Sequence, residues 1–186
     1  MRNIAILASG SGSNAENIVN YFRDNKSIKI ALLATENPTA FVIERAKKLG
    51  IEYDIFNMAD FKEGRFLDTL KSYNIDFIVL AGFLKHVPDN ILNAYNKRVI
   101  NIHPALLPKY GGKGMYGDRV HAAVIANHEC ESGITIHYVN GNYDEGDIIF
   151  QAKCSVDKND TAETLAKKVH ELEHKHYPKV IESLLK

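Results

Sequence analysis

Short apolar runs alternate with segments of helical periodicity over the first hundred residues of the chain. The runs are continuous rather than alternating, which is typical of parallel strands that are buried on both faces. They predict strands over Arg2–Ala8, Ile28–Ala34, Ile51–Phe56, Phe77–Gly82 and Val99–Ile102. The segments between them predict helices over Asn14–Arg23, Ala40–Leu49, Phe61–Tyr73 and Pro88–Tyr95. This order predicts an α/β fold with a doubly wound, mostly parallel sheet.

The pattern changes after residue 103. Residues 104–117 contain two prolines and four glycines, which predicts a long irregular loop of the kind that is often functional in compact domains. A helix is expected over Asp118–Asn127. Two strands, Ile134–Val139 and Ile148–Val156, flank the turn-rich residues 140–146 and predict a C-terminal hairpin.

A long helix is predicted to end the chain, over Thr161–Leu185. Asp160 precedes it as the expected N-cap residue, and Glu163 follows three residues later, as in a capping box. Pro178 lies inside the helix and is expected to kink it.

Composition narrows the function without naming it. The 186 residues predict one domain spanning residues 1–186. The formal net charge is zero, so no nucleic-acid partner is expected, and no apolar run reaches the roughly 18 residues of a membrane helix. Cys130 and Cys154 match no metal pattern and predict free thiols, which favours the cytoplasm.

A glycine-rich segment, Ser9–Asn14, joins the first predicted strand to the first predicted helix. The N–H groups at a helix start favour an anion, especially phosphate, and the glycines let the backbone approach it. An ordinary turn with a helix cap is the simpler interpretation. A dinucleotide site is a third, because Gly10, Gly12 and Ala15 fit G-x-G-x-x-A and Glu36 could contact a ribose.

A polar pair ends the fifth predicted strand. Strand alternation places Asn101 and His103 on the same side, with Ile102 turned away. An amide can donate to an oxyanion, and an imidazole titrates near neutral pH. A polar anchor for the following loop is the alternative, but the pair at a strand end favours a catalytic role.

Two further groups are weaker on the residues alone. Asp144 would raise the pKa of an adjacent imidazole, but an aspartate in a turn is more often exposed, and His137 is then a structural residue that aligns its loop. His170, Glu173 and His174 share one face of the last helix. No second ligand cluster accompanies them, so no metal site is predicted.

Taken together, these motifs resemble the phosphoribosylglycinamide formyltransferase family, in the same order over essentially the whole chain. The resemblance lies in SGSGSN, LAGF, NIHP followed by LLP, His137 with Asp144, and EH followed by YP. It implies a Rossmann-like formyltransferase fold. It also implies transfer of the formyl group of 10-formyltetrahydrofolate to the amine of glycinamide ribonucleotide in purine synthesis, with no metal.

The resemblance also implies residue roles. The catalytic residues would be Asn101, His103 and Asp144. The phosphate of the ribonucleotide would be held by Gly12, Ser13 and Asn14, and its ribose by Glu173. The folate would be contacted by Lys62, Leu84, Lys85, His86, Val87 and Asn101. The chain departs from the family pattern at Lys85-His86 and in the loop Gly111–Arg119. The N-terminal half would serve mainly the ribonucleotide, and the C-terminal half folate and catalysis.

The implied reaction is direct transfer through a tetrahedral intermediate. Asn101 and protonated His103 would stabilise the oxyanion, while Asp144 raises the pKa of His103 and helps to relay a proton. A 10-formyltetrahydrofolate hydrolase-like enzyme and a non-catalytic nucleotide-binding module are the alternatives. Methionyl-tRNA formyltransferases and the hydrolases carry an extra domain for which 186 residues leave no room. A monomer or weak homodimer is expected.

Overall fold

The computed structural model describes all residues, 1–186, and contains one seven-stranded sheet. Its strands are β1 (Arg2–Leu7), β2 (Ile28–Thr35), β3 (Tyr53–Ile55), β4 (Phe77–Leu80), β5 (Val99–His103), β6 (Glu131–Tyr138) and β7 (Ile148–Ser155). The order is β3-β2-β1-β4-β5-β6-β7. Strands β1 to β5 are parallel, β6 is antiparallel to β5, and β7 is antiparallel to β6. The predicted α/β fold with a C-terminal hairpin is therefore confirmed.

Seven helices flank the sheet. They are α1 (Ser13–Phe22), α2 (Val42–Leu49), α3 (Met58–Glu63), α4 (Arg65–Ser72), α5 (Asp89–Ala94), α6 (Asp118–Ala126) and α7 (Ala162–Leu185). None of them is both long and apolar enough to cross a membrane.

Two sequence predictions fail near β3. The single helix predicted over Phe61–Tyr73 is two helices, because the chain takes a left-handed turn at Gly64, with φ +102°. The first of them starts earlier than predicted, since the Asn57 side chain caps it by accepting from the Asp60 N–H at 2.8 Å. The strand predicted over Ile51–Phe56 shortens to Tyr53–Ile55, since at the sheet edge it pairs only with the last residues of β2.

The sheet separates two apolar cores, which explains the continuous apolar runs. In β1, Ile4 and Ile6 face the core formed with α1, α2 and α7. The alternate residues, Ala5 and Leu7, face the core formed with α3, α4 and α5. Both faces of the central strands are thus buried, as their composition predicts.

Helix α7 begins one residue later than predicted. Thr161, not Asp160, is the N-cap residue, and its capping box is completed by Thr164 rather than Glu163. Asp160 instead pairs with Lys168 at 2.6 Å, which with nearby hydrogen bonds lowers the pKa of Asp160 to about 2.

The long helix is fastened to the rest of the fold at its centre. It continues through Pro178, which has no N–H for the carbonyl of His174. Asn17 of α1 donates to that carbonyl at 2.9 Å instead. The buried Tyr177 hydroxyl donates to the Leu80 carbonyl at the end of β4, also at 2.9 Å. These bonds fix α7 beside the carboxyl ends of the central strands.

Candidate active site

A cavity of about 840 Å³ opens at the carboxyl ends of the parallel strands. The strand order reverses between β1 and β4, and in open α/β sheets ligands bind in the crevice at such a reversal. Its wall combines the loops after β1 and β4, the end of β5, residues 112–117 and one face of α7. The volume suits a site for one or two small molecules.

The loop after β1 requires glycine at residue 12. Gly12 caps α1 with φ +73°, and a Cβ there would lie 2.5 Å from the Val42 side chain. The Arg45 Nε–H donates to the Ser11 carbonyl at 2.8 Å, and Arg45 also pairs with Glu16. The loop is thus held with the N-terminus of α1 facing the cavity, where its N–H groups can receive an anion.

The two ends of the chain meet beside this loop. The Asn14 side-chain amide donates to Glu173 of α7 at 2.8 Å, and His170 Nδ1 lies 2.9 Å from the same carboxylate oxygen. Its hydrogen bond with Glu173 raises the pKa of His170. The residues predicted to bind the ribonucleotide therefore lie together in the structure, although they come from both ends of the chain.

The second part of the site lies across β5 and β6. Asn101 pairs with His137 in the antiparallel register, and the Asn101 amide nitrogen lies 3.2 Å from His137 Nε2. His103 lies two residues along the same strand, as alternation predicts. The His103 Nε2–H donates to the Tyr110 carbonyl at 2.7 Å, which leaves Nδ1 facing the loop after β6.

Asp144 lies between the two histidines. Its carboxylate is 3.5 Å from His103 Nδ1 and 3.5 Å from His137 Nε2, and it accepts from the Gly112 N–H at 2.9 Å. Only 12% of its side chain is exposed. The interpretation of Asp144 as an exposed turn residue is therefore wrong, although its φ of +57° is that of a turn.

Burial sets the charges of this cluster. It lowers the pKa of His103 more than the Asp144 carboxylate raises it, so the net shift is downward. The sequence-based expectation of a raised pKa is thus right about the effect of Asp144 and wrong about the sum. Burial raises the pKa of Asp144, but the interactions with His137 and His103 lower it by more, so the net shift is downward. Near neutral pH, a neutral His103 imidazole therefore lies beside an ionised Asp144 carboxylate.

Four of the predicted folate residues, Leu84–Val87, line the cavity that also contains His103 and Asp144. The Leu84 N–H donates to the Ser9 hydroxyl at 2.9 Å, which ties this segment to the loop after β1. His86 Nε2 lies 2.8 Å from the carbonyl of Gly141, in the loop after β6. Lys62 is exposed on α3 and does not line the cavity, so the structure gives its predicted folate contact no support.

The sequence pattern does not identify some of the residues that line the cavity. His121 is a buried residue of α6 that lines the cavity, and Lys113 and Arg119 belong to the glycine-rich loop and the start of α6. The only signal for His121 was a histidine on the apolar face of α6, with Val120 and Val124. Neither Ala15 nor Glu36 lines the cavity, which weakens the dinucleotide interpretation. The side chains form no group of three that could hold a metal ion.

Comparison with known proteins identifies the family that this chain resembles. The family described as formyl transferase matches residues 2–181. A phosphoribosylglycinamide formyltransferase of Bacillus subtilis is 39% identical over all of this chain and 95% of its own length. A chloroplastic one of Arabidopsis thaliana is 40% identical over 97% of this chain, which spans 64% of that protein. The crystal structure of the Bacillus halodurans phosphoribosylglycinamide formyltransferase superposes with a TM-score of 0.90 at 37% identity, over 100% of this chain and 96% of the other.

Proposed function

The chain belongs to the formyl transferase family, and on that premise we propose that it is a phosphoribosylglycinamide formyltransferase. It transfers the formyl group of 10-formyltetrahydrofolate to the amine of N1-(5-phospho-D-ribosyl)glycinamide in purine synthesis. The observation that carries the proposal is Asp144 held between His103 and His137, beside Asn101, in the cavity that also contains the helix α1 N-terminus.

In the proposed reaction the amine of the ribonucleotide attacks the formyl carbon. A carbon–nitrogen bond forms, and the carbonyl oxygen becomes an oxyanion that receives hydrogen bonds from Asn101 and His103. The intermediate collapses when the bond from the formyl carbon to the folate nitrogen breaks. The proton lost by the amine passes to that nitrogen, and no enzyme-bound formyl group forms.

His103 and Asp144 have different roles in the proton transfer. His103 begins neutral, because burial lowers its pKa, and becomes charged as the oxyanion develops. Asp144 is ionised and stabilises that charge from 3.5 Å. The neutral resting state replaces the protonated one that the resemblance implies. General acid–base assistance of this kind raises a reaction rate about 10²–10⁴-fold.

Substrate binding follows the division of the cavity. The N-terminus of α1, with Gly12, Ser13 and Asn14, binds the ribonucleotide phosphate, and Glu173 binds the ribose hydroxyls. Leu84, Lys85, His86 and Val87 contact the pteridine of the folate beside Asn101. This arrangement suits the reaction because both ligands then meet at the catalytic cluster.

The chain is proposed to act as one domain, residues 1–186, because a single sheet runs through it. A cytoplasmic location is supported by its two free thiols, Cys130 and Cys154. The monomeric or weakly dimeric state stays a prediction.

The test is a product assay with 10-formyltetrahydrofolate, run with and without glycinamide ribonucleotide. Equal amounts of tetrahydrofolate and formylated ribonucleotide, and neither product without the ribonucleotide, are expected. Tetrahydrofolate released without the ribonucleotide would identify a hydrolase. Binding of NAD with no reaction in either mixture would identify a nucleotide-binding module.

A further inference from the structure

His121 is a buried histidine without a hydrogen-bond partner for its Nδ1 atom. The residue is 5% exposed, lies on α6 and lines the cavity. The other two buried histidines of the cavity differ from it, since His103 contacts the Tyr110 carbonyl and His137 the Tyr138 carbonyl. His121 alone among the three leaves a buried ring nitrogen without a protein partner.

An unpartnered polar atom in the interior destabilises a fold. Most buried polar atoms are paired, and each that is not loses its hydration without compensation. The neighbours of His121 on the buried face of α6 are Val120 and Val124, so an apolar side chain would suit this position better for stability alone. A partner that arrives with a ligand is the simplest reason for an imidazole at the cavity wall.

The surroundings of His121 indicate which ligand atoms it meets. Helix α6 packs on α7, which carries Glu173. Burial lowers the pKa of His121, and the charge of Glu173 opposes that shift. The ring lines the same cavity as Glu173 and His103, and burial favours its neutral form, with one donor and one acceptor nitrogen. Glu173 is assigned to the ribose and His103 to the reacting amine. Between these two parts of the ribonucleotide lies its glycinamide amide, which has one N–H and one carbonyl.

We propose that His121 binds the glycinamide amide of the ribonucleotide through Nδ1, the atom that the protein leaves without a partner. The inference rests on the proposed function. It makes His121 a substrate-binding residue that distinguishes glycinamide ribonucleotide from sugar phosphates without the amide. The contact with the amide would add to the proposed contacts with the phosphate and the ribose.

The test compares His121→Leu with His121→Asn by calorimetric titration. The ligands are glycinamide ribonucleotide and, as a matched probe without the amide, ribose 5-phosphate. His121→Leu is expected to raise the Kd of the ribonucleotide roughly 3- to 10-fold, which corresponds to one lost hydrogen bond. The Kd of ribose 5-phosphate should stay unchanged. His121→Asn retains a polar group near Nδ1 and should bind the ribonucleotide more tightly than the leucine variant.

Thermal denaturation separates this role from a structural one. The leucine variant should unfold at the same temperature as the wild type or higher, because it removes an unpartnered polar atom. A lower unfolding temperature with weaker binding of both ligands would overturn the proposal in favour of a structural histidine. If the wild type transfers the formyl group and His121→Leu binds the ribonucleotide unchanged, the proposal for His121 is overturned and the proposed function stands. A wild type that neither binds nor formylates the ribonucleotide would overturn the proposed function as well.

Discussion

The two ends of the cavity are built in different ways. The loop of residues 9–14 is formed by consecutive residues, and its N–H groups lie at the start of helix α1, with Gly12 packed closely against Val42. The cluster of Asn101, His103, His137 and Asp144 joins β5, β6 and the loop after β6, and its side chains already contact one another. The loop therefore depends on backbone shape, and the cluster on the coupling of side-chain charges. Substitutions at the two ends should therefore impair the protein for different reasons.

The largest effect is expected from Asp144→Asn. The amide keeps the shape of the carboxylate but cannot stabilise a charged His103, so kcat should fall by roughly 10²–10⁴-fold while the Kd values of both substrates stay nearly unchanged. Steady-state kinetics and equilibrium binding would measure the two quantities. Glu145→Gln is the matched control, since Glu145 is the adjacent exposed acid and does not line the cavity. Near-normal turnover by Asp144→Asn would remove Asp144 from the mechanism.

The loop should be sensitive to a single methyl group. Gly12→Ala places a Cβ 2.5 Å from Val42 at φ +73°, and this should cost about 3 kcal/mol of unfolding free energy and raise the KM for the ribonucleotide. Chemical denaturation and kinetics would check both. Gly10→Ala has no neighbouring atom within 4 Å, so its unfolding free energy should change by less than about 1 kcal/mol. Equal destabilisation by the two substitutions would contradict the close fit at Gly12.

The smallest effect, on pH dependence, should belong to the cluster. The pKa of His103 lies below 6.5 in the folded protein, so below pH 6.5 the unfolded chain takes up a proton that the folded chain resists. Stability should therefore fall as the pH falls from 6.5 towards the lowered pKa. His103→Gln should reduce this slope by at most about 1.4 kcal/mol per pH unit.

Denaturant unfolding between about pH 5 and 7.5 would measure that slope. His128→Asn is the control, since His128 is exposed and asparagine tolerates its φ of +51°. A slope that His103→Gln leaves unchanged would show that His103 does not resist protonation.

Sequence and structure agree best where the signal is local. The loop of residues 9–14 and the strand pair Asn101 and His103 could be predicted because turn chemistry and alternation act over a few residues. Asp144 could not, from its own neighbourhood, because its partner His103 is 41 positions away (144 − 103) and the turn around it looks ordinary. Only the resemblance to a family assigned it a catalytic role.

Other differences have equally specific causes. The sequence does not predict the break at Gly64, because a single glycine is tolerated in a helical pattern. It does not fix the cap of α7 either, because Asp160, Thr161 and Thr164 can all cap a helix. The net pKa shift of His103 depends on the depth of its burial, which a sequence does not state. The same reason hides His121, whose interest lies in its burial at the cavity wall.

The most direct test of the account is formyl transfer by the wild type beside His103→Ala, with both substrates saturating. His176→Ala serves as the control, because His176 packs on Phe150 outside the cavity. The account predicts that the wild type and the control form formylated ribonucleotide at similar rates, and that His103→Ala loses roughly 10²–10⁴-fold in kcat. Transfer by His103→Ala at nearly the wild-type rate would contradict it.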